Sequence, residues 1–151
     1  MLRQALADRL KEAMKARDVR TISAVRLIIA GLKDRDIAAR TEGRPEGLSD
    51  TEIHRMLQTM IRQRRESIAL YEQGRRADLA QKERDEITVI ESFLPRQLDA
   101  AETEVAAKAA IAETGAASVK DAGKVMAVLR ERHAGVIDLG QASAIVRRLL
   151  G

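Results

Sequence analysis

The 151-residue chain has no cysteine, no tryptophan, one tyrosine, one phenylalanine, two prolines and two histidines. The missing thiols exclude disulfides, cysteine–zinc sites, iron–sulfur clusters and a cysteine nucleophile. His54 and His133 are too few for a histidine-rich metal site, and neither a metal nor another cofactor is expected. Tyr71 and Phe93 cannot supply the exposed rings on which RNA-recognition and OB-fold domains stack bases. No apolar run approaches the roughly 20 residues of a transmembrane helix, so no membrane partner is expected. The stretch MLRQALADRLKEAMKAR alternates charged and apolar residues too evenly for a signal peptide. The cytoplasm is therefore the expected location.

What the chain has is charge. Lysine and arginine number 27 against 23 aspartates and glutamates, a net charge of +4. The isoelectric point of about 9.8 reflects a small excess that titrates only at lysine and arginine. Such a balance is weak evidence for an acidic partner. Without aromatic platforms, any nucleic-acid contact must run through lysine and arginine on phosphate and sugar.

Apolar residues recur at helical spacing nearly everywhere, and no stretch alternates cleanly with period two. Leu2, Leu6, Leu10 and Met14 form one stripe. Asp18 is a candidate N-cap for a second helix carrying Val19, Ile22, Val25, Ile28, Ile29 and Leu32. TEGRPEGLS then reads as a loop. Ser49-Asp50-Thr51-Glu52 is a capping box with Leu48 placed to staple onto Ile53. The third helix continues through Leu57, Met60 or Ile61, Ile68 and Tyr71, and Gly74 is expected to stop it in the left-handed conformation. A fourth runs from about Ala77 to Phe93, ended by Pro95.

Composition shifts at Pro95, and half the residues from 100 to 117 are alanine. Asp99 and Glu102 predict a capped fifth helix with Val105, Ala109 and Ala112 inward. Residues Ser118 through Asp121 are expected to cap a sixth, and Asp138 a seventh with Ala142, Ile145, Val146 and Leu149 buried. The chain thus reads as all-α: a bundle of long helices over 1–95, then a small three-helix domain over 96–151. Gly123 sits inside a helical pattern, where glycine costs about 1 kcal/mol against alanine; a close helix crossing is the expected compensation.

No GxSxG elbow, phosphate-binding loop, GxGxxG or HExxH is present, and no catalytic residues are predicted. Asp34-Arg35-Asp36 and Glu83-Arg84-Asp85-Glu86 are dense in carboxylates but read as solvated faces, with Lys82 and Glu86 spaced to pair. Basic residues cluster at Arg62, Arg64 and Arg65 and again at Arg75 and Arg76. Arginine's planar fork suits phosphate, while pairing with Glu66, Glu72 and Asp78 is the competing reading. Lys120 and Lys124 are four apart, and Arg130 and Arg132 lie near a helix end, where cations also suit the helix dipole.

Several segments resemble the GatB/YqeY family. Ser118-Val119-Lys120-Asp121-Ala122-Gly123-Lys124-Val125-Met126 is similar to its KDMGKVM signature, with Ala122 in place of Met. Gln63 to Ile68 resembles QRKESI, Gly74 to Ala80 the AGR-DLA turn, Glu91 to Leu98 the YLPQQL boundary and Ile137 to Ser143 the DFGKAS segment. The matches keep their order across nearly the whole chain and suggest a stand-alone YqeY-like protein. The resemblance implies an all-α fold and kinship with the tail domain of the B subunit of the tRNA-dependent amidotransferase. That enzyme amidates Glu-tRNA(Gln) or Asp-tRNA(Asn) with glutamine as nitrogen donor; its tail domain contacts tRNA, and its kinase and amidase chemistry lies elsewhere.

The expected function is a non-catalytic accessory protein touching tRNA or other RNA through Lys120, Lys124, Arg130, Arg132, Arg62, Arg64, Arg65, Arg75 and Arg76, with protein partners in aminoacyl-tRNA amidation. A helical protein–protein adaptor is the first alternative. A component of a carbon–nitrogen ligase with glutamine as amido donor is the second. Nothing in the sequence sets the oligomeric state.

Overall fold

The structure, a computed structural model, describes residues 1–151 and contains seven α-helices and no strand. They are α1 (Leu2–Ala16), α2 (Val19–Thr41), α3 (Asp50–Gln73), α4 (Ala77–Glu91), α5 (Ala100–Thr114), α6 (Ala122–Arg132) and α7 (Leu139–Leu150). A single 3₁₀ turn, Val119–Asp121, leads into α6. The chain divides into two compact units, Met1–Leu94 and Pro95–Gly151. No helix is long and apolar enough to cross a membrane.

Four side-chain caps set helix starts, because the first amides of a helix have no intrahelical acceptor. The Asp18 carboxylate accepts from the Thr21 amide at 3.1 Å and from its hydroxyl at 2.6 Å. Ser49 and Glu52 complete a reciprocal box, as do Asp99 and Glu102. Asp138 accepts from the Gln141 amide at 3.1 Å. Ser118 does not cap α6 as expected: its side chain makes no cap bond, and the 3₁₀ turn carries the chain into the helix. Asp121 instead accepts from the Ala117 amide at 3.0 Å, steadying the turn from within.

In the first unit Leu6, Val25, Ile28, Leu32, Ile53, Met56, Leu57, Ile61, Ile87 and Ile90 form the core. Here α3 lies chiefly against α4, and α2 against α1 and α4. Two apolar residues of the expected stripes face outward: Met14 is 51% exposed, while Ala13 is buried in its place, and Val19 is 74% exposed. Four-residue steps overshoot a turn by about 40°, so a stripe begun at Leu2 has rotated off the buried face by Met14. Asp36, read as part of a solvated face, is buried at 7% exposure.

Gly74 is not left-handed: its φ is −81°. The left-handed residue is Arg75, at φ 56°. The Arg76 amide donates to Tyr71 O at 2.8 Å and the Arg75 amide to Glu72 O at 3.1 Å. That is the paired closure of a Schellman motif, set one residue later than the glycine.

In the second unit Ala107, Ala110, Val125, Leu129, Ile137, Ala142 and Val146 form the core, and α5, α6 and α7 contact one another pairwise. The buried face of α5 is Thr103, Ala107 and Ala110; Val105 is 69% exposed, and Ala109 and Ala112 are exposed too. Thr103 is fully buried because its hydroxyl donates to Asp99 O at 2.7 Å, leaving no unsatisfied polar group. Gly123 does not mediate a close crossing: it is exposed, and a Cβ there would meet no atom within 4 Å.

Candidate nucleic-acid interface

In the second unit Lys120 stands on the 3₁₀ turn and Lys124 one turn later in α6, both exposed and neither in an ion pair. Between them lies Gly123, which leaves the helix surface bare. The carboxylate closest in sequence, Asp121, is held below the usual aspartate range by the Ala117 and Ser118 amides, with Lys124 contributing last. Its oxygens are directed at backbone, so it leaves Lys124 available for an external anion.

Arg130 and Arg132 do not extend this face. Arg130 is exposed and unpaired, but six residues beyond Lys124 places it about 120° around the axis and about 9 Å along it. Arg132 is engaged by Glu113 at 2.6 Å. That carboxylate sits below the usual glutamate range, first through the hydrogen bond from Arg132. On α7, Arg148 is engaged by Glu104 at 2.9 Å, while Arg147 is exposed.

The arginine cluster of the first unit separates into structural and solvent-facing members. Arg64 is nearly buried. Its Nε donates to Glu86 at 2.9 Å, its Nη1 donates to Met60 O at 3.2 Å, and Glu83 lies 4.0 Å away. This also corrects the Lys82–Glu86 pairing, since Glu86 is turned inward to Arg64. Arg65 lies 3.7 Å from Glu91. Arg76 reaches Asp78 at 3.4 Å, and Glu72 is taken by Arg84. Arg62 and Arg75 remain exposed without an ion pair.

No three His, Asp or Glu residues group as metal ligands. His133 occupies the C-cap position of α6, its amide donating to Leu129 O at 3.0 Å. Sequence reasoning passed over Arg35 and Arg55, which the fold brings to one cleft with Arg44. They are twenty residues apart, on different helices, and no local signal links them.

A family model described as Yqey-like protein matches residues 3–150. Three similar curated proteins share the name "Altered inheritance of mitochondria protein 41, mitochondrial". The one from Lachancea thermotolerans is 31% identical over 99 residues, 66% of this chain and 51% of that protein. The one from Candida glabrata is 33% identical over 85 residues, 56% of this chain and 45% of that protein. The one from Eremothecium gossypii is 32% identical over 104 residues, 69% of this chain and 55% of that protein. The chain thus spans about half the length of the curated relatives it matches. The names overturn the cytoplasmic expectation, since these relatives are called mitochondrial. The missing membrane and export signals on which it rested do not separate one aqueous compartment from another.

Proposed function

This chain belongs to the YqeY-like family, and from that premise we propose that it is a non-catalytic RNA-interacting protein that holds the tRNA backbone on the α6 face. The observation that carries the reading is the pair Lys120 and Lys124. Both are exposed, neither forms an ion pair, and they flank a glycine with open space above it. Two ammonium groups one turn apart match successive backbone phosphates, and the bare glycine lets the polymer approach the helix. The similarity of residues 118–126 to the GatB/YqeY family signature, which implies kinship with the tRNA-contacting tail domain of the amidotransferase B subunit, supports the same reading. Lysine contacts of this kind read phosphate and carry no base information. Binding is therefore steep in salt and weakly selective in sequence.

The test is equilibrium binding of the full chain to total tRNA across a salt series. Lys120→Ala with Lys124→Ala is expected to weaken binding roughly tenfold at low salt and to reduce the log–log salt slope by about 1.4–1.8, the loss of two phosphate contacts. Both residues are exposed, so the melting temperature stays at its parental value. An unchanged slope overturns the site.

A second reading, a helical protein–protein adaptor, is favoured by one observation. Val19 and Leu27 are 74% and 45% exposed, and with Ile22 they line a shallow cavity of about 360 Å³. Partners recovered from nuclease-treated extract and lost on Leu27→Asp would favour it over RNA.

A further inference from the structure

The end of α2, the loop after it and the first turns of α3 line a shallow, open cleft of about 350 Å³. Ala38, Ala39 and Leu48 supply its apolar lining. Three arginines, Arg35, Arg44 and Arg55, are among its lining residues.

The three arginines differ in state. Arg44 is fixed: its Nη1 donates to Glu52 Oε1 at 2.6 Å, while Glu52 Oε2 accepts from the Ser49 amide at 3.0 Å. Both oxygens of that carboxylate are thus committed, and it sits below the usual glutamate range, first through Arg44 and then through the Ser49 amide. Arg35 and Arg55 are exposed and in no ion pair. Of the two acidic neighbours of Arg35 in sequence, Asp36 is turned inward to Arg3, while Asp34 is exposed and in no ion pair.

Of the two acids in the lining, Glu52 is committed to Arg44 and the Ser49 amide and also feels the charge of Arg55, while Glu42 is in no ion pair; the lining carries three positive charges against two negative. Glu42 lowers the net charge without occupying either arginine. Guanidinium forks bind tetrahedral oxyanions through two oxygens at once. The apolar lining suits a ring or short carbon body attached to the anion.

We propose that this cleft binds a phosphate group borne on a compact organic body, with Arg35 and Arg55 as the phosphate ligands and Arg44 as a prepositioned third cation. The site lies within the Met1–Leu94 unit and does not rest on the lysine face of α6. The phosphate reaches it either on a small phosphomonoester or as part of an RNA backbone, and the two sources separate experimentally.

The experiment is calorimetric titration of the full chain at fixed ionic strength with three probes: inorganic phosphate, adenosine 5′-monophosphate, and a short single-stranded oligonucleotide without terminal phosphate. The monophosphate is expected to bind more tightly than inorganic phosphate. Arg35→Ala with Arg55→Ala is expected to weaken it at least tenfold, and Arg35→Lys with Arg55→Lys to recover part of the loss. Heat from the oligonucleotide alone, abolished by the arginine variant, supports the phosphate site and assigns it to a polymer. Absence of binding by all three probes, or binding indifferent to Arg35 and Arg55, overturns it. Circular dichroism of both arginine variants, expected to match the parent, separates lost contacts from lost fold.

Discussion

Arg64→Ala is expected to destabilise the Met1–Leu94 unit by about 3 kcal/mol while leaving the proposed tRNA binding of the folded protein unchanged. Arg64 and Glu86 are 14% and 11% exposed at their side chains and 2.9 Å apart. Removing the guanidinium strands the Glu86 carboxylate with little water to solvate it, and the cost falls on the α3–α4 contact. In a unit of this size 1 kcal/mol shifts melting by about 4–8 °C, so the drop should exceed about 10 °C. Replacing both partners, Arg64→Met with Glu86→Leu, removes the uncompensated charge and is expected to restore most of the loss, because apolar side chains of similar volume substitute well for a buried pair. Arg62→Ala, by contrast, should move melting little, since its side chain is exposed and in no ion pair. Melting monitored by circular dichroism, beside tRNA binding at 10 °C, decides the matter. Unchanged melting with weakened binding would return Arg64 to the RNA face.

This division of one arginine run explains how far the sequence was legible. Local signals read well. The boxes at Ser49–Glu52 and Asp99–Glu102 are three-residue reciprocal bonds, and their partners are adjacent in the chain. The inward face of α7 was equally plain, because Ala142, Ile145, Val146 and Leu149 recur at true helical spacing. The stop after α3 was located to within a residue, but its left-handed position fell on Arg75, because the hydrogen-bond closure from Arg76 to Tyr71 outweighs a residue preference of about 1 kcal/mol.

What the sequence concealed was non-local or weakly patterned. Glu86 is turned inward by an arginine 22 residues away. On α5 alanine surrounds the axis, so the pattern carries little phase information, and Val105 was assigned inward when a buried, hydrogen-bonded Thr103 held that place. Gly123 was legible as an anomaly but not as an exposed one; only the absence of neighbours distinguishes an open backbone from a tight crossing. The lysine face depended on the same information. Spacing put Lys120 and Lys124 together, but whether carboxylates quench them is a property of the fold.

The second large effect is expected at Asp36. Its carboxylate accepts from both terminal nitrogens of Arg3, at 2.5 and 2.9 Å, and from the Leu48 amide at 2.9 Å. Arg3 also donates to Leu48 O at 2.8 Å, so one aspartate ties α1, α2 and the loop before α3 together. Charge-assisted bonds are worth about 1.5–3 kcal/mol each where solvent is limited. The Arg3 side chain is 41% exposed and regains water when released, which brings the expected cost of Asp36→Ala to about 3 kcal/mol. Gly47→Ala attacks the same network from the other side. Gly47 has φ +76°, and an added Cβ would lie 2.3 Å from Asp36 Oδ1, so it meets both left-handed strain and a carboxylate pinned by three bonds. A loss of about 2 kcal/mol is expected.

The pH dependence identifies the cause. The Arg3 hydrogen bond, opposed by burial and aided by the Leu48 amide, holds the Asp36 carboxyl below the usual aspartate range in the folded state. The folded value lies below the unfolded one, so the contribution is complete above the unfolded value near 3.9 and disappears as pH falls through the folded value. Urea unfolding of the parent and of Asp36→Asn is therefore expected to show a stability gap that is constant from about pH 5 to 7 and closes on further acidification. Other hydrogen-bonded carboxylates, such as Glu52 and Glu102, acidify in both proteins and cancel in the difference. A gap that keeps the full size it has at about pH 5–7 as the pH falls well below about 3.9 would show that Asp36 acts through shape alone and that the charge of the Arg3 contact contributes nothing.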